Sequence, residues 1–201
     1  MVGKILVSTA YIPPVEYFSL ISRADKVLIE REENYIKQSY RNRCYILSAH
    51  GPQLLSVPVY LGSQHKTQLK DIRIDYSKRW QQVHLGAITA SYSASPYYQF
   101  YFESIEKAIS KKNNFLIDLN TEITESILKM LKLKTELGFT SQFEVSSESD
   151  HDYRYKLAPK KVSLFRVREY LQVFDDNNGF VHGLSIIDLI FNTGPEAVDY
   201  L

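Results

Sequence analysis

The pattern of apolar and polar positions in the first thirty residues predicts a βαβ unit. Residues 4–8 form a short apolar run with β-branched members, which indicates a buried strand. Pro13 and Pro14 end that strand, and apolar positions then recur at helical spacing over residues 14–24. A second apolar run at 26–30 predicts another strand, so strand, helix and strand fit within one unit.

The pattern that follows predicts a hairpin and a helical middle segment. Residues 34–40 are polar and aromatic, which favours a loop. Two apolar runs at 43–47 and 54–59 flank a turn-rich stretch and predict a β-hairpin. Strict alternation at 70–75 predicts a half-buried or edge strand. Apolar positions spaced by three and four predict helices over residues 79–93, 97–110 and 120–133, the last with Asn120 as its N-cap.

The C-terminal part carries weaker signals. Residues 146–152 lack a hydrophobic period and are predicted to form a mobile loop, whereas residues 171–174 predict a strand followed by a turn at 175–179. Ser185 and Asp188 form a capping-box pattern at the start of a short apolar helix, which Gly194 and Pro195 end.

Together these elements predict one α/β domain over residues 1–201. It has a βαβ opening with a mixed sheet, a β-hairpin and a helical middle segment. The pattern does not decide whether the hairpin joins the main sheet.

Composition narrows the classes of function. The chain has 24 Lys and Arg against 23 Asp and Glu, and a net charge of +1 argues against a nucleic-acid partner. The single cysteine, Cys44, excludes an internal disulfide, a cysteine-based zinc site and an iron–sulfur cluster. No apolar run reaches the roughly 18 residues of a membrane helix, and no signal-peptide core follows Lys4. We therefore expect a cytoplasmic protein with no membrane partner.

The aromatic content is unusual, with 15 Tyr and 10 Phe against one Trp. Tyrosine suits half-wet surfaces, because its ring is apolar and its hydroxyl forms hydrogen bonds. The tyrosines could form an aromatic-rich edge of the core, or a cleft that holds a polar, ring-shaped ligand.

The densest basic cluster indicates an anion site. Lys37, Arg41 and Arg43 are interleaved with tyrosines that include Tyr35. In an extended chain Arg41 and Arg43 point to the same side, so two guanidiniums could hold a diphosphate or carboxylate. The competing interpretation is a solvated edge paired with the glutamates at 30, 32 and 33. The Asn42 amide could orient a ligand or fix the loop.

Other chemistry gives fewer candidates. The five histidines lack metal-ligand spacing, and no glycine-rich phosphate loop is present, so we predict neither a metal nor another cofactor. If a nucleotide binds, side chains and a helix N-terminus must hold it, and the first strand-to-helix turn at residues 8–16 is where an α/β sheet places a ligand. That turn could instead be merely rigid, because two prolines stiffen it and Glu16 would repel an anion. His84 follows Trp80 by one helical turn and could be a satisfied core-edge histidine or a general base.

Five ordered motifs resemble the WbqC-like protein family over nearly the whole chain. These motifs are YIPPVEYF at 11–18, NYIKQSYRNR at 34–43, GPQLLSVP at 51–58, Trp80-x-x-x-His84 with Tyr92 and Pro96-Tyr97, and LSIIDLI at 184–190 with Gly194-Pro195. The family takes its name from a gene of O-antigen biosynthesis clusters. The resemblance therefore implies a cytosolic step in making surface polysaccharide.

The chain matches the family pattern at some positions and departs from it at others. The matching positions are Lys37, Asn42, Arg43, Trp80 and His84. Many members carry a His-Gln-Pro-like end of the first strand and a Gly-Tyr-Phe helix start, where this chain has Ser8, Thr9 and Glu16. If those family residues shape a nucleotide pocket, the departures predict a lost or altered activity.

These observations favour a transferase that acts on an activated, nucleotide-linked sugar. In this hypothesis the arginines hold the phosphates, a lysine neutralises developing charge, a histidine is the general base and tyrosines contact the sugar. The alternative is a non-catalytic binding or assembly module, which could form a homo-oligomer through a tyrosine-rich surface. The predicted catalytic residues are His84 and Lys37, and the predicted anion- and substrate-binding residues are Arg41, Asn42, Arg43, Tyr35 and Tyr92.

Overall fold

The computed structural model shows the α/β fold that the sequence predicts. It describes residues 2–61, 66–145, 151–159, 167–174 and 179–201. In chain order the strands and helices are β1 (Val2–Ser8), α1 (Val15–Ile21), β2 (Ala24–Glu30), β3 (Arg43–Ser48), β4 (Gly51–Ser56), β5 (Val59–Tyr60), β6 (Arg73–Ile74), α2 (Trp80–Tyr92), α3 (Tyr98–Ser110), α4 (Leu116–Met130), β7 (Glu136–Phe139) and α5 (Ile186–Thr193). Short 3₁₀ segments lie at Leu69–Asp71 and Gly194–Tyr200.

Three parallel strands in the order β1, β2 and β7 form the main sheet. Ile5, Val7, Val27 and Ile29 alternate along β1 and β2 and are buried in the hydrophobic core. The connecting helix α1 is buried at every position, because α5 lies on its other side and the Val15 N–H donates to the Leu184 carbonyl. The predicted βαβ opening is confirmed.

The hairpin forms a sheet of its own. β3 and β4 pair antiparallel, and the tight turn is possible because Gly51 has a positive φ of 101°. The predicted bounds of the second hairpin strand, 54–59, are wrong. β4 begins at Gly51 and ends at Ser56, and Pro52 pairs with Leu47. The two residues of β5 then pair with β6 instead.

Two other predicted elements differ from the structure. Alternation predicted a strand over 70–75, but a 3₁₀ turn at Leu69–Asp71 precedes the two-residue β6. Asn120 is not an N-cap: α4 begins at Leu116, and Asn120 is fully buried in its second turn. The Asn120 amide donates to the Arg41 carbonyl at 2.8 Å, so its role is a contact between distant segments.

The C-terminal predictions had mixed outcomes. Residues 171–174 are not a strand, and residues 175–178 of the predicted turn lie outside the described residues. Of the predicted mobile loop at 146–152, residues 146–150 also lie outside them. His151 and Asp152 are described: the Leu6 N–H donates to the His151 carbonyl, and Asp152 forms a parallel bridge with Leu6.

The predicted capping box at the start of α5 is half formed. The Ser185 hydroxyl accepts from the Ile187 N–H, as expected of an N-cap. The reciprocal bond is missing, because the Ser185 N–H donates to the Tyr45 carbonyl and the Asp188 carboxylate accepts from Tyr170. Among the described residues, no helix is long and apolar enough to cross a membrane.

Candidate functional site

Five buried charged side chains meet beyond the carboxyl ends of β1 and β2. They are Glu30, Glu33, Arg41, Asp152 and Arg154, each at most 6% exposed, and we call them the charged cluster. The carboxyl edge of parallel strands is where open α/β sheets bind their ligands. The charged cluster is therefore the natural starting point for a functional site.

Arg41 forms one half of this cluster. Its Nε and Nη2 atoms donate to the Glu33 carboxylate at 2.7–2.9 Å, and Nη2 also donates to the Ser8 hydroxyl at 2.7 Å. The Ser8 hydroxyl in turn donates to the Arg154 carbonyl at 2.9 Å. Ser8, one of the departures from the family pattern, thus links the end of β1 to both arginines.

Arg154 forms the other half, and the sequence patterns gave no signal for it. Its guanidinium donates to Glu30 at 2.9 Å and to Asp152 at 2.7 Å. These hydrogen bonds, that to Asp152 above all, raise the pKa of Arg154 above its usual value. The two-residue spacing of Asp152 and Arg154 is the only local hint, and it does not reveal that Glu30 lies opposite.

In the structure Tyr35 lies close enough to Arg41 and Arg43 for both charges to act on its hydroxyl. Burial raises the pKa of Tyr35 to about 12, and the nearby charges of Arg43 and Arg41 oppose that rise. Arg43 is half-buried at the start of β3, and its Nε atom has no hydrogen-bond partner in the described part of the chain. Lys37 is exposed in the preceding loop. Arg43 therefore has donor capacity that Arg41, held by Glu33, does not.

Asn42 fixes the backbone beside this group. Its side-chain amide donates to the Val57 carbonyl at 2.9 Å, and its own carbonyl accepts from the Val57 N–H at 2.8 Å. These contacts hold the segment after β4 against the start of β3. Of the two interpretations of Asn42, fixing the loop is the one these contacts describe.

His84 lies on the inward face of α2 in an aromatic cluster. Its Nδ1 atom is 2.8 Å from the Tyr11 hydroxyl, and its ring centroid is 5.1 Å from that of Trp80. Burial lowers the pKa of His84 to about 4, a change that a hydrogen bond to the backbone of Ser56 partly opposes. A hydrogen bond that favours the protonated ring is one in which the ring donates, here to the Ser56 carbonyl. In the neutral ring the other nitrogen is an acceptor, so Nδ1 accepts from the Tyr11 hydroxyl. His84 is thus a neutral histidine at the edge of the core, with a hydrogen bond at each ring nitrogen.

Tyr92 belongs to a different network, at the other end of α2. Its hydroxyl accepts from the Leu47 N–H at 2.9 Å and bonds to Asp188. Tyr170 and Gln172 also donate to that carboxylate, at 2.7 and 3.1 Å. Burial raises the pKa of Asp188 to about 6. The partners of Tyr92 are thus distinct from those of Tyr35 and Arg43.

Two spaces open next to the charged cluster, a small cavity and a larger groove. A cavity of about 20 Å³, room for one water molecule, lies among Thr9, Tyr17, Tyr40, Arg41 and Arg154. A groove of about 330 Å³ continues on the side of the sheet that carries Leu6, Leu28 and Glu30. The described residues contain no cluster of His, Cys, Asp and Glu that could hold a metal ion.

Comparisons with known proteins agree over nearly the full chain. The model of the WbqC-like protein family matches residues 9–160 and 151–200. The protein is also similar to "Uncharacterized protein Rv1507c" of Mycobacterium tuberculosis, with 27% identity over a 222-residue alignment that covers 98% of this chain and 96% of that protein. No solved structure matches it. The family match spans almost all the elements described above, and the chain belongs to the WbqC-like protein family.

Proposed function

We propose that the protein is a cytoplasmic transferase that binds a phosphorylated or nucleotide-linked sugar and acts in the synthesis of surface polysaccharide. The observation that carries the proposal is the half-buried Arg43 guanidinium, whose Nε has no hydrogen-bond partner in the described residues. It stands beside Arg41 and Tyr35. An arginine with an unpaired donor at a half-buried position suits a phosphate group. Membership of a family named from an O-antigen gene supports the polysaccharide assignment.

Within this proposal the two arginines have different parts. Arg43 contacts the phosphate, and the exposed Lys37 adds charge from the loop. Arg41 is a positioning residue, because its guanidinium is already occupied by Glu33 and Ser8. Catalysis then rests on holding the substrate and stabilising charge on the departing phosphate.

His84 supports the site without touching the substrate in this proposal. Both of its ring nitrogens are engaged, one by Tyr11 and the other by the Ser56 carbonyl. Ser56 is the register partner of Arg43 in the hairpin. His84 therefore holds the strand pair that presents Arg43, and Tyr92 does the same through Leu47.

The exposure of the tyrosines favours a ligand site over a tyrosine-rich docking surface. Tyr60 and Tyr155 are exposed, whereas the other tyrosines are buried or half-buried. Docking hot spots require aromatic side chains that a partner can cover. Half-buried rings around an arginine suit a small hydroxyl-bearing ligand instead.

The first test is a thermal-shift panel of nucleotide sugars, sugar phosphates and inorganic phosphate. A ligand at 100 times its dissociation constant stabilises by about 2.7 kcal/mol, or about 5–10 °C for a chain of this size. Arg43→Ala is expected to weaken binding at least about tenfold and so to halve the shift. Arg79→Ala, which removes an exposed arginine, is the matched control. No shift across the panel, or an unchanged shift in Arg43→Ala, would refute the site.

A second assay separates transfer from binding. The nucleotide sugar that gives the largest shift is incubated with the protein and saccharide acceptors, and release of its nucleoside diphosphate is measured together with the glycosylated acceptor, so that transfer is distinguished from hydrolysis. Release that is lost in Arg43→Ala supports a transferase, whereas binding without release in the presence of saccharide acceptors contradicts it.

A further inference from the structure

A separate pocket lies at the β5–β6 strand pair and shares no residue with the charged cluster or with the group around Arg43. Its volume is about 300 Å³, at the lower end of the range for small-molecule sites. The lining residues are Tyr60, Arg73, Ile74, Tyr76, Asn114 and Phe115. We call it the Tyr60 pocket. Three of its six residues are aromatic, and two are polar and able to donate hydrogen bonds.

The aromatic rings of the Tyr60 pocket are fixed in place. Tyr60 is 56% exposed, yet its hydroxyl is hydrogen-bonded to the Asp75 carboxylate. The Tyr76 hydroxyl donates to the Asn113 carbonyl at 2.9 Å. The Arg73 guanidinium lies over the Phe115 ring, 5.7 Å from its centroid. Because these side chains are already held in place, a ligand that packs against them costs little side-chain entropy, which favours binding.

The polar groups at the rim include donors and an acceptor. Arg73 offers N–H donors, and the exposed Asn114 amide offers both a donor and an acceptor. The Asp75 carboxylate beside Tyr60 accepts from the Ser77 N–H at 2.8 Å, which together with other contacts lowers its pKa. The ionised Asp75 carboxylate offsets the charge of the Arg73 guanidinium, so the rim carries both signs and suits a neutral ligand with several hydroxyl groups.

We propose that the Tyr60 pocket binds a neutral sugar ring. The apolar face of the ring stacks on Tyr60 and Tyr76, and its hydroxyls bond to Arg73 and Asn114. This inference is independent of the proposed function, because the anion group around Arg43 shares no residue with the pocket. It adds a saccharide site to the protein whether or not a transfer reaction occurs.

The single tryptophan makes the test direct. Trp80 is the only tryptophan of the chain, and its ring centroid is 5.9 Å from that of Tyr76, which lines the pocket. The protein has one indole N–H resonance in an NMR spectrum, and a ligand seated on Tyr76 is expected to shift it. Neutral hexoses and N-acetylhexosamines are the probes, with nucleosides and inorganic phosphate as separate arms.

Three variants complete the design. Tyr60→Ala removes a stacking surface and is expected to weaken sugar binding about tenfold. Tyr60→Phe keeps the ring and is expected to retain most of the affinity. Phe100→Ala removes a 75% exposed aromatic ring on α3, outside the pocket, and is expected to bind like the wild type.

The possible results distinguish a sugar site in the Tyr60 pocket from binding elsewhere or of another ligand. A sugar-dependent shift that is lost in Tyr60→Ala and kept in Phe100→Ala supports the proposal. It is overturned if no neutral sugar shifts the resonance, if Tyr60→Ala titrates like the wild type, or if only nucleosides or phosphate bind. The position of the same indole resonance without ligand shows that each variant is folded.

Discussion

Two buried regions of this protein differ in the hydrogen-bond partners of their titratable side chains. In the charged cluster each carboxylate faces a guanidinium, as with Glu33 and Arg41. In the networks next to α2 the buried titratable groups meet uncharged hydroxyls instead of guanidiniums: His84 meets Tyr11, and Asp188 on α5 meets Tyr92 and Tyr170. Burial therefore lowers the pKa of His84 to about 4 and raises that of Asp188 to about 6.

The contrast shows that burial alone does not identify a reactive group. Both α2 networks respond to burial by favouring the neutral form, which is the least costly solution in a dry interior. The charged cluster keeps ions buried, and buried ion pairs are weak contributors to net stability. They lie at the edge where open α/β sheets bind their ligands.

The largest expected effect comes from removing the cation that two carboxylates share. Arg154→Met leaves Glu30 and Asp152 buried without their guanidinium, and we expect the free energy of unfolding to fall by about 3–5 kcal/mol. Urea denaturation at neutral pH measures the loss. Arg79→Met, at an exposed position, is expected to match the wild type. Equal stabilities for the two variants would show that Arg154 does not compensate the carboxylates.

His84 should make the protein less stable as the pH falls. Its pKa is about 4 in the folded state against an ordinary histidine value of 6.5, so the folded state binds fewer protons between these values. Stability is then lost on acidification from pH 6.5 to 4, by about 3 kcal/mol in total. His84→Gln keeps a donor and an acceptor but does not titrate. We expect its unfolding free energy to lack this loss when both proteins are unfolded in urea at pH 7 and pH 4.

Asp188 should have the opposite effect over an overlapping window. Its pKa is about 6 in the folded state against an ordinary aspartate value of 3.8, so the folded state binds more protons between these values. This group therefore removes stability as the pH rises from 3.8 to 6, by about 3 kcal/mol in total. Denaturation of Asp188→Asn across the same range should lack that decline. A variant with the same pH slope as the wild type would contradict the assignment.

The smallest effect is expected at an exposed ion pair near the opposite end of the same sheet. Lys26 Nζ lies 2.7 Å from Glu136, with side chains 42% and 66% exposed. Such pairs contribute less than about 1 kcal/mol, and salt screens them. Lys26→Ala should therefore lower stability slightly at low ionic strength, and the difference should vanish in 1 M salt. A loss as large as that in Arg154→Met would erase the distinction between the two ends.

Local sequence signals predicted the elements that carry a strong internal pattern. The βαβ opening, α2 and α3 follow from periodicity and prolines, and Ser185 is the N-cap of α5 as expected. Strand β7 was missed, because Glu136–Phe139 has only four residues and no alternation. Its conformation is set by pairing with β2, which no local signal encodes.

The candidate site was predicted only as far as neighbours along the chain define it. The proximity of Tyr35, Arg41 and Arg43 follows from their spacing. The choice of Glu33 as the partner of Arg41, from three nearby glutamates, depends on how the loop folds over β1. Arg154 was missed altogether, because its contacts with Glu30 and Ser8 are fixed by tertiary packing.

The connectivity of the charged cluster sets the order in which it can assemble. Arg41 and Glu33 are 8 positions apart and can pair as soon as their loop closes, whereas Arg154 lies 124 positions after Glu30 and 146 after Ser8. Contacts between distant positions form slowly, since the intervening chain must first be ordered. Glu30 is therefore synthesised 124 residues before its cation. The carboxyl edge is completed only when the segment that carries Arg154 packs against β1 and β2.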